Sequence, residues 1–257
     1  MSSFVLAMVH HDPDGRMVAQ AERVLPAVTG MVSGIAIRAT DATPPAALAP
    51  WQRAGARIRT APSSTHHFLG QARRDAVALG LELPGDVLLF CDLDRLIHWA
   101  ERYPDELAAT MKRLGDADFT VLGRTARAFA SHPLTQTTTE AIVNEVFGRM
   151  SGRRWDVTAA ARGMRRPAAE AIVAGYTDNG IGSDTGWPVF VERAGFQLAY
   201  IETEGLEFET PDRYGDEIAA AGGLAAWLEE SANNLQEWLL RLEIAHAELA
   251  ALKPFEH

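Results

Sequence analysis

Two carboxylates close a short apolar run and define the most chemically suggestive point of the chain. Val87-Leu88-Leu89-Phe90-Cys91 is followed by Asp92-Leu93-Asp94. A run with no polar position reads as a strand buried on both faces. In a parallel sheet, ligands sit beyond the carboxyl ends of the strands, and paired carboxylates there can hold a hard divalent ion that in turn holds a diphosphate. The plainer reading is that Asp92 and Asp94 cap the next turn, or a helix starting near Leu96. A second set lies upstream, where Ser63-Ser64-Thr65-His66-His67-Phe68-Leu69-Gly70-Gln71-Ala72-Arg73-Arg74-Asp75 enters an Ala/Leu-rich helix. Hydroxyls, Gly70, Arg73 and Arg74 at a helix start form an anion cradle fit for a diphosphate, or else the solvated face of a surface helix. His66 and His67 are either ligands or solvated loop residues.

A third set begins at Thr177-Asp178-Asn179-Gly180-Ile181-Gly182-Ser183-Asp184. Its glycines deliver the chain to a helix start at Ser183 and leave Asp184 in the first turn, where a carboxylate can orient or deprotonate an acceptor hydroxyl, or simply serve the helix N-terminus. After the next strand comes an acidic run containing Glu202, Glu204, Glu207, Glu209, Asp212, Asp216 and Glu217. One member is a candidate third metal ligand, against the alternative of a solvated loop.

The elements that must position these groups alternate between strand and helix. Phe4–Val9, Ser33–Ala39 and Ala56–Arg59 read as strands. They are separated by a helical pattern running to Pro26 and by the proline pair Pro44-Pro45. A helix opens at Pro104, and a strand follows at 119–123. Thr137-Thr138-Thr139-Glu140 carries the signature of a capping box. After Arg153 and Arg154, the segment Val157 to Pro167 gives a short strand, a turn and a helix starting at Pro167. Its arginines form either a pocket for an anionic acceptor or a solvated basic surface. Gln197–Ile201 is the last strand. Leu224, Leu228, Leu235, Trp238, Leu242, Leu249 and Leu252 form one apolar stripe, to be covered by the rest of the chain or by a second copy in a homo-oligomer. The alternation predicts an α/β fold with a mostly parallel central sheet flanked by helices and a C-terminal helical segment. The turn after the first strand has no Gly-x-Gly-x-x-Gly, which argues against a dinucleotide site.

Composition narrows the function classes. With 257 residues, 47% of them hydrophobic, the chain can bury a large core as a single domain. A net charge of -10 with scattered basic residues argues against nucleic acid. Only Lys112 and Lys253 among the 24 basic residues are lysines, so anion binding falls to arginine. Cys91 is the sole cysteine and lies inside the predicted strand, which favours a packed thiol and a reducing compartment. The N-terminus reads as a strand rather than a signal peptide, and no apolar run reaches the length of a membrane span. The expectation is a cytoplasmic protein.

The strand ending in Asp-x-Asp, the Gly/Arg helix start before it, and Gly182-Ser183-Asp184-Thr185 followed at Gly195 by a strand resemble the nucleotide-sugar glycosyltransferases of the GT-A fold. Asp178 to Thr185, with Tyr200-Ile201-Glu202-Thr203-Glu204-Gly205, is most similar to the mannosylglycerate synthase type. The resemblance implies a Rossmann-like fold and one catalytic domain over 1–257. Within it, 1–123 would bind the nucleotide sugar, 124–215 the acceptor, and 216–257 would be helical. It implies transfer of a hexose from a donor such as GDP-mannose or UDP-glucose to a small hydroxyl acceptor, for example a hydroxy acid such as glycerate, with retention. Asp92 and Asp94 would hold Mg²⁺ or Mn²⁺ and the diphosphate, helped by Glu207 or Glu209. Arg73 or Arg74 would assist at the phosphates, His11 and Asp41 would contact the nucleoside, and Asp184 would face the acceptor. Where such enzymes often carry a metal-binding histidine after Glu-Gly, this chain has Leu206-Glu207-Phe208-Glu209. Two alternatives stand beside this reading. One is a haloacid-dehalogenase-type phosphatase phosphorylated on Asp92, which would need Lys112 or Lys253. The other is a non-catalytic GT-A protein that only binds a nucleotide sugar.

Overall fold

A computed structural model describes residues 3–63 and 66–255. Among these residues the strands form one seven-stranded sheet in the order β3-β2-β1-β4-β6-β5-β7. The strands are β1 Phe4–His10, β2 Gly34–Thr40, β3 Arg57–Ala61, β4 Val87–Asp92, β5 Phe119–Arg124, β6 Ala161–Arg165 and β7 Leu198–Thr203. β6 runs antiparallel to both its neighbours, β4 and β5, and the remaining pairs are parallel.

The uninterrupted apolar run of β4 has a direct explanation in the packing. Leu6, Met8, Val87, Leu89 and Cys91 belong to one buried cluster, and Val5, Ala7, Leu88 and Phe90 to another. Alternate residues of β1 and β4 therefore fill two cores, one on each face of the sheet, and neither strand can spare a polar position. Trp51 and Trp99 fill the first core and Trp187 the second, where its indole meets the Phe90 ring edge-on at 5.6 Å.

Several sequence expectations are corrected. The helix Val18–Met31 runs through Pro26 instead of stopping there. Pro26 lies on the exposed face, so the carbonyl deprived of its partner can be hydrated. The helix after the Asp-x-Asp begins at once, as Leu93–Arg102, and not near Leu96. The capping-box reading of Thr137 to Glu140 fails because the helix Leu134–Ser151 starts one turn earlier, directly after Pro133. Glu140 instead accepts from Gln136 at 2.8 Å and from Arg124 at 2.5 Å. The C-terminal stripe is divided between the helices Leu224–Ala232 and Leu235–Ala250. Ala245 and Glu248 of the second face inward, whereas Leu235, Leu239 and Leu242 are exposed. No helix among the described residues is long and apolar enough to cross a membrane.

Candidate active site

The chain leaves β1 toward β2 on one side of the sheet and later returns as β4 on the other, so the carboxyl ends of β1 and β4 flank a topological switch point. A cavity of about 380 Å³ opens there. The end of β1 contributes His10 and His11, β2 gives Arg38 and Thr40, and β4 and its helix give Asp92 and Asp94. Arg213 closes the far wall. Asp12 fixes the first of these loops by accepting from the Arg16 and Met17 backbone N–H groups, each at 2.9 Å.

The carboxylates are embedded in arginine. Arg73 reaches from the helix Leu69–Leu81 to lie between two of them, 2.9 Å from Asp184 Oδ1 and 3.7 Å from Asp92 Oδ2. Its Nη1 also donates to Ser183 Oγ at 3.0 Å. Arg162, from β6, places a second guanidinium 3.6 Å from Asp184 Oδ1. Arg213 Nη1 stands 3.0 Å from Asp94 Oδ2. The capping alternative holds in part. Asp92 occupies the N-cap position without a side-chain capping bond, while Asp94 Oδ1 accepts from the Arg95 N–H at 2.9 Å. Burial lifts the Asp92 carboxyl to about 6 against the pull of Arg73, with Asp94 adding to the rise. Asp92 Oδ1 is buried without a hydrogen-bond partner.

The other expected site residues fall into two groups. Glu209 comes close, since its buried carboxyl is raised by desolvation and further by Asp94, against the pull of Arg95, and its Oε2 has no partner. Glu207 has other partners, with Arg127 at 2.5 Å, Tyr103 Oη at 3.0 Å and His98 Nε2 at 3.3 Å. His11 lines the cavity with Nδ1 2.8 Å from Thr40 Oγ1, and Asp41 Oδ1 accepts from Ser63 N–H at 3.1 Å at the rim. Arg73 is at the site, but Gly70 and Arg74 serve the contact with the 178–182 turn. Arg74 donates to the Asp178 carbonyl and to Asn179 Oδ1, and a Cβ on Gly70 would meet the Gly180 carbonyl oxygen at 2.1 Å. Asp184 is held behind Arg73 with its side chain only 6% exposed, and it does not line the cavity. Ser64, Thr65 and the side chain of His66 lie outside what the structure describes.

Sequence reasoning missed Arg213, Arg38 and His10. Arg213 carried one signal, as the only basic residue in the acidic stretch 202–217. His10 is buried with both ring nitrogens unpartnered, and desolvation lowers it to about 4, so at neutral pH it is an uncharged imidazole in the cavity wall.

No family model matches the chain, and no curated protein matches it. Among solved structures it is similar to glucosyl-3-phosphoglycerate synthase from Mycobacterium tuberculosis in complex with UDP. The TM-score is 0.53 at 14% identity, covering 78% of this chain and 70% of that one. The same enzyme with Mn²⁺, UDP and glucosyl-3-phosphoglycerate gives a TM-score of 0.51 at 12% identity, again over 78% and 70%. A mycobacterial protein gives 0.53 at 15% identity, over 78% of this chain and 65% of its own. The chain has the GT-A fold. In that fold the cavity at the β1/β4 switch is framed by the Asp-x-Asp of β4, and the mycobacterial synthase has been seen with UDP together with Mn²⁺ or Mg²⁺.

Among the described residues no group of three or more His, Cys, Asp or Glu side chains is gathered to hold a metal ion. A magnesium-like ion, however, is commonly bound by one or two carboxylates and completed by substrate phosphates and water. Asp94 in the cavity wall, with the unpartnered oxygens of Asp92 and Glu209 nearby, fits that kind of site.

Proposed function

We propose that the protein is a metal-dependent glycosyltransferase that moves a hexose from a nucleoside-diphosphate sugar to a small hydroxyl acceptor. The carrying observation is the placement of Asp92, Asp94 and Arg213 around one cavity at the carboxyl ends of β1 and β4. The donor would be of the UDP-glucose or GDP-mannose type, and the acceptor a hydroxy acid of the glycerate type, transferred with retention. Support for this class comes from a solved structure of the same fold, the mycobacterial synthase in complex with Mn²⁺, UDP-glucose and phosphoglyceric acid.

In this reading Asp94, with Asp92 and Glu209, would hold the divalent ion, which when bound neutralises charge on the departing diphosphate. Arg213 and Arg38 line the same cavity and offer guanidinium donors to the phosphates. His11 and Asp41, at the ends of β1 and β2, lie on the nucleoside side. His10 remains neutral, so it can donate or accept one hydrogen bond without adding charge beside Asp94. Asp184 acts through Arg73: it fixes the guanidinium that stands over Asp92, a positioning role set by its burial behind that arginine. The sheet then divides the labour, with residues 1–123 holding the donor and 124–215 the acceptor.

The phosphatase alternative lacks its lysine. Lys112 and Lys253 are both exposed, and neither lines the cavity. The test is incubation with UDP-glucose or GDP-mannose, Mn²⁺, and glycerate or 3-phosphoglycerate, followed by NMR of the anomeric region. A new α-glycoside that disappears in Asp94→Ala is expected. Donor binding without transfer or hydrolysis would indicate a binding protein. No binding of any nucleotide would end the glycosyltransferase reading.

A further inference from the structure

Arg213 occupies an unusual position for a residue that no sequence motif pointed to. Its Nη1 is 3.0 Å from Asp94 Oδ2, with the two side chains only 18% and 23% exposed. Its Nη2 makes one long contact with Thr210 Oγ1 at 3.4 Å, and its Nε is buried with no partner. The guanidinium thus spends one donor on Asp94 and keeps others for an anion in the cavity it lines. Its backbone is clamped from two sides. Arg16 Nη1 donates to the Arg213 carbonyl at 3.1 Å, pairs with Glu217 at 2.7 Å and lies over the Tyr214 ring at 4.7 Å. Next to it, Asp212 accepts from Gln20 Nε2 at 2.7 Å and is 2.6 Å from His98 Nδ1. The main chain is thus fixed, and among the described residues the guanidinium is held only by Asp94, by the long contact to Thr210 and by the Tyr214 ring 5.9 Å away.

Charge around the cleft is already matched without a metal ion. Asp94 is opposed by Arg213, Asp92 by Arg73, and Asp184 by Arg73 and Arg162. A divalent ion arriving alone would meet a guanidinium on the carboxylate it needs. An ion arriving with a diphosphate meets no such conflict, because Arg213 can move to a phosphate oxygen and leave Asp94 to the metal, so that every charge keeps a partner.

We infer that Arg213 is a built-in counter-ion that competes with the divalent metal for Asp94 and transfers to the donor diphosphate when metal and nucleotide bind together. The inference rests on reading the cleft as a nucleotide-sugar site. It makes metal and nucleotide binding mutually dependent, and the coupling is reciprocal.

The test is Mn²⁺ binding to the full chain, followed by the electron paramagnetic resonance of free Mn²⁺, with and without UDP or GDP. The wild-type protein should bind Mn²⁺ weakly alone and much more tightly with the nucleotide. Arg213→Gln should bind Mn²⁺ alone about tenfold more tightly, because a positive charge has been removed from the neighbourhood of Asp94. It should also bind the nucleotide more weakly, so that most of the coupling is lost. Arg213→Lys keeps the charge and should stay close to wild type toward Mn²⁺, which separates this effect from general damage to the fold. Unchanged or weaker Mn²⁺ binding in Arg213→Gln, with nucleotide binding intact in the wild type, would overturn the inference and leave the proposed function standing. A wild type that binds neither UDP nor GDP with Mn²⁺ would overturn both.

Discussion

At the scale of single residues, Arg73 joins the two halves of the site. Its side chain is 3% exposed and lies between Asp184 and Asp92. Removing one partner of a buried ion pair leaves an uncompensated charge, at a cost of about 3–5 kcal/mol. Arg73→Ala is therefore expected to lose stability on that scale in urea unfolding, and Arg73→Lys to lose less. A loss below about 1 kcal/mol would mean that water reaches these carboxylates. In contrast, Asp94→Asn is expected to cost little stability but to abolish Mn²⁺-dependent stabilisation by UDP or GDP in a thermal-shift assay. Retained nucleotide- and metal-dependent stabilisation would remove Asp94 from the site. Asp92 and Asp94 were legible in the sequence because a doubly buried strand announces itself by its unbroken apolar run, and its end is where ligands collect. Arg213 was not legible, because nothing in its local sequence tells which carboxylate a long side chain will find after the chain has crossed the molecule.

At the scale of elements, the segment carrying Glu209 and Arg213 is held against the helix Leu93–Arg102 by His98, which lies 2.6 Å from Asp212 and 3.3 Å from Glu207. Burial works against protonation of His98, but its two carboxylate partners outweigh it and raise the imidazole above its ordinary value. The same contacts help to lower Asp212 and Glu207. A raised histidine contributes stability that is full below about pH 6.5 and is lost as pH rises through its higher folded value. The lowered acids contribute above about pH 4.5 and lose their contribution as pH falls. The clasp should thus be tightest from about pH 4.5 to 6.5, and the wild-type melting temperature should fall more steeply above that range than that of His98→Gln. Parallel profiles for the two proteins would show that the clasp contributes nothing.

The same scale governs Gly70. A methyl group there meets the Gly180 carbonyl oxygen at 2.1 Å and the Asn179 carbonyl carbon at 3.1 Å. Gly70→Ala should cost about 1–3 kcal/mol through overpacking, read as a lower urea midpoint. The sequence identified a glycine at a helix start as meaningful but assigned it to a ligand. Close backbone approach between two segments distant in the chain leaves the same mark as a phosphate cradle. Strand positions other than β6 were legible to within about two residues, as expected from hydrophobic patterning. In the β6 region the pattern predicts a strand from Val157 with a turn after it, whereas the turn at 158–159 comes first and the strand Ala161–Arg165 runs directly into the helix. The antiparallel sense of β6 was not legible, since periodicity says which face is buried and nothing about direction.

At the scale of the whole molecule, the C-terminal helix reaches back to the site. Thr185 Oγ1 donates to the Glu248 carbonyl at 2.6 Å, and the Glu248 carboxyl is buried near Asp184 and Glu140. Desolvation and then these acids push it well above the ordinary carboxylate range. A raised acid favours folding fully only below its unfolded value near 4.3, and stability falls as pH rises from there toward the folded value. Glu248→Gln should accordingly be more stable than the wild type at pH 7 and show a flatter stability profile above pH 5, measured by chemical denaturation. A destabilised variant would mean that an ionised Glu248 holds a favourable partner such as Arg241.

The near absence of lysine has a practical consequence. Both side-chain amines, on Lys112 and Lys253, are on the exterior and away from the cleft, whose guanidinium donors are those of Arg38 and Arg213. Amine-directed reagents, whether fluorophores, cross-linkers or activated biosensor surfaces, will find the outer shell of the protein and leave the cleft at the β1/β4 switch chemically untouched. Reagents specific for guanidinium groups will meet exposed arginines such as Arg149 and Arg53 as well as the more buried Arg213 of the cleft, and selective protection of Arg213 by an added nucleoside diphosphate, read by mass spectrometry, would report binding there.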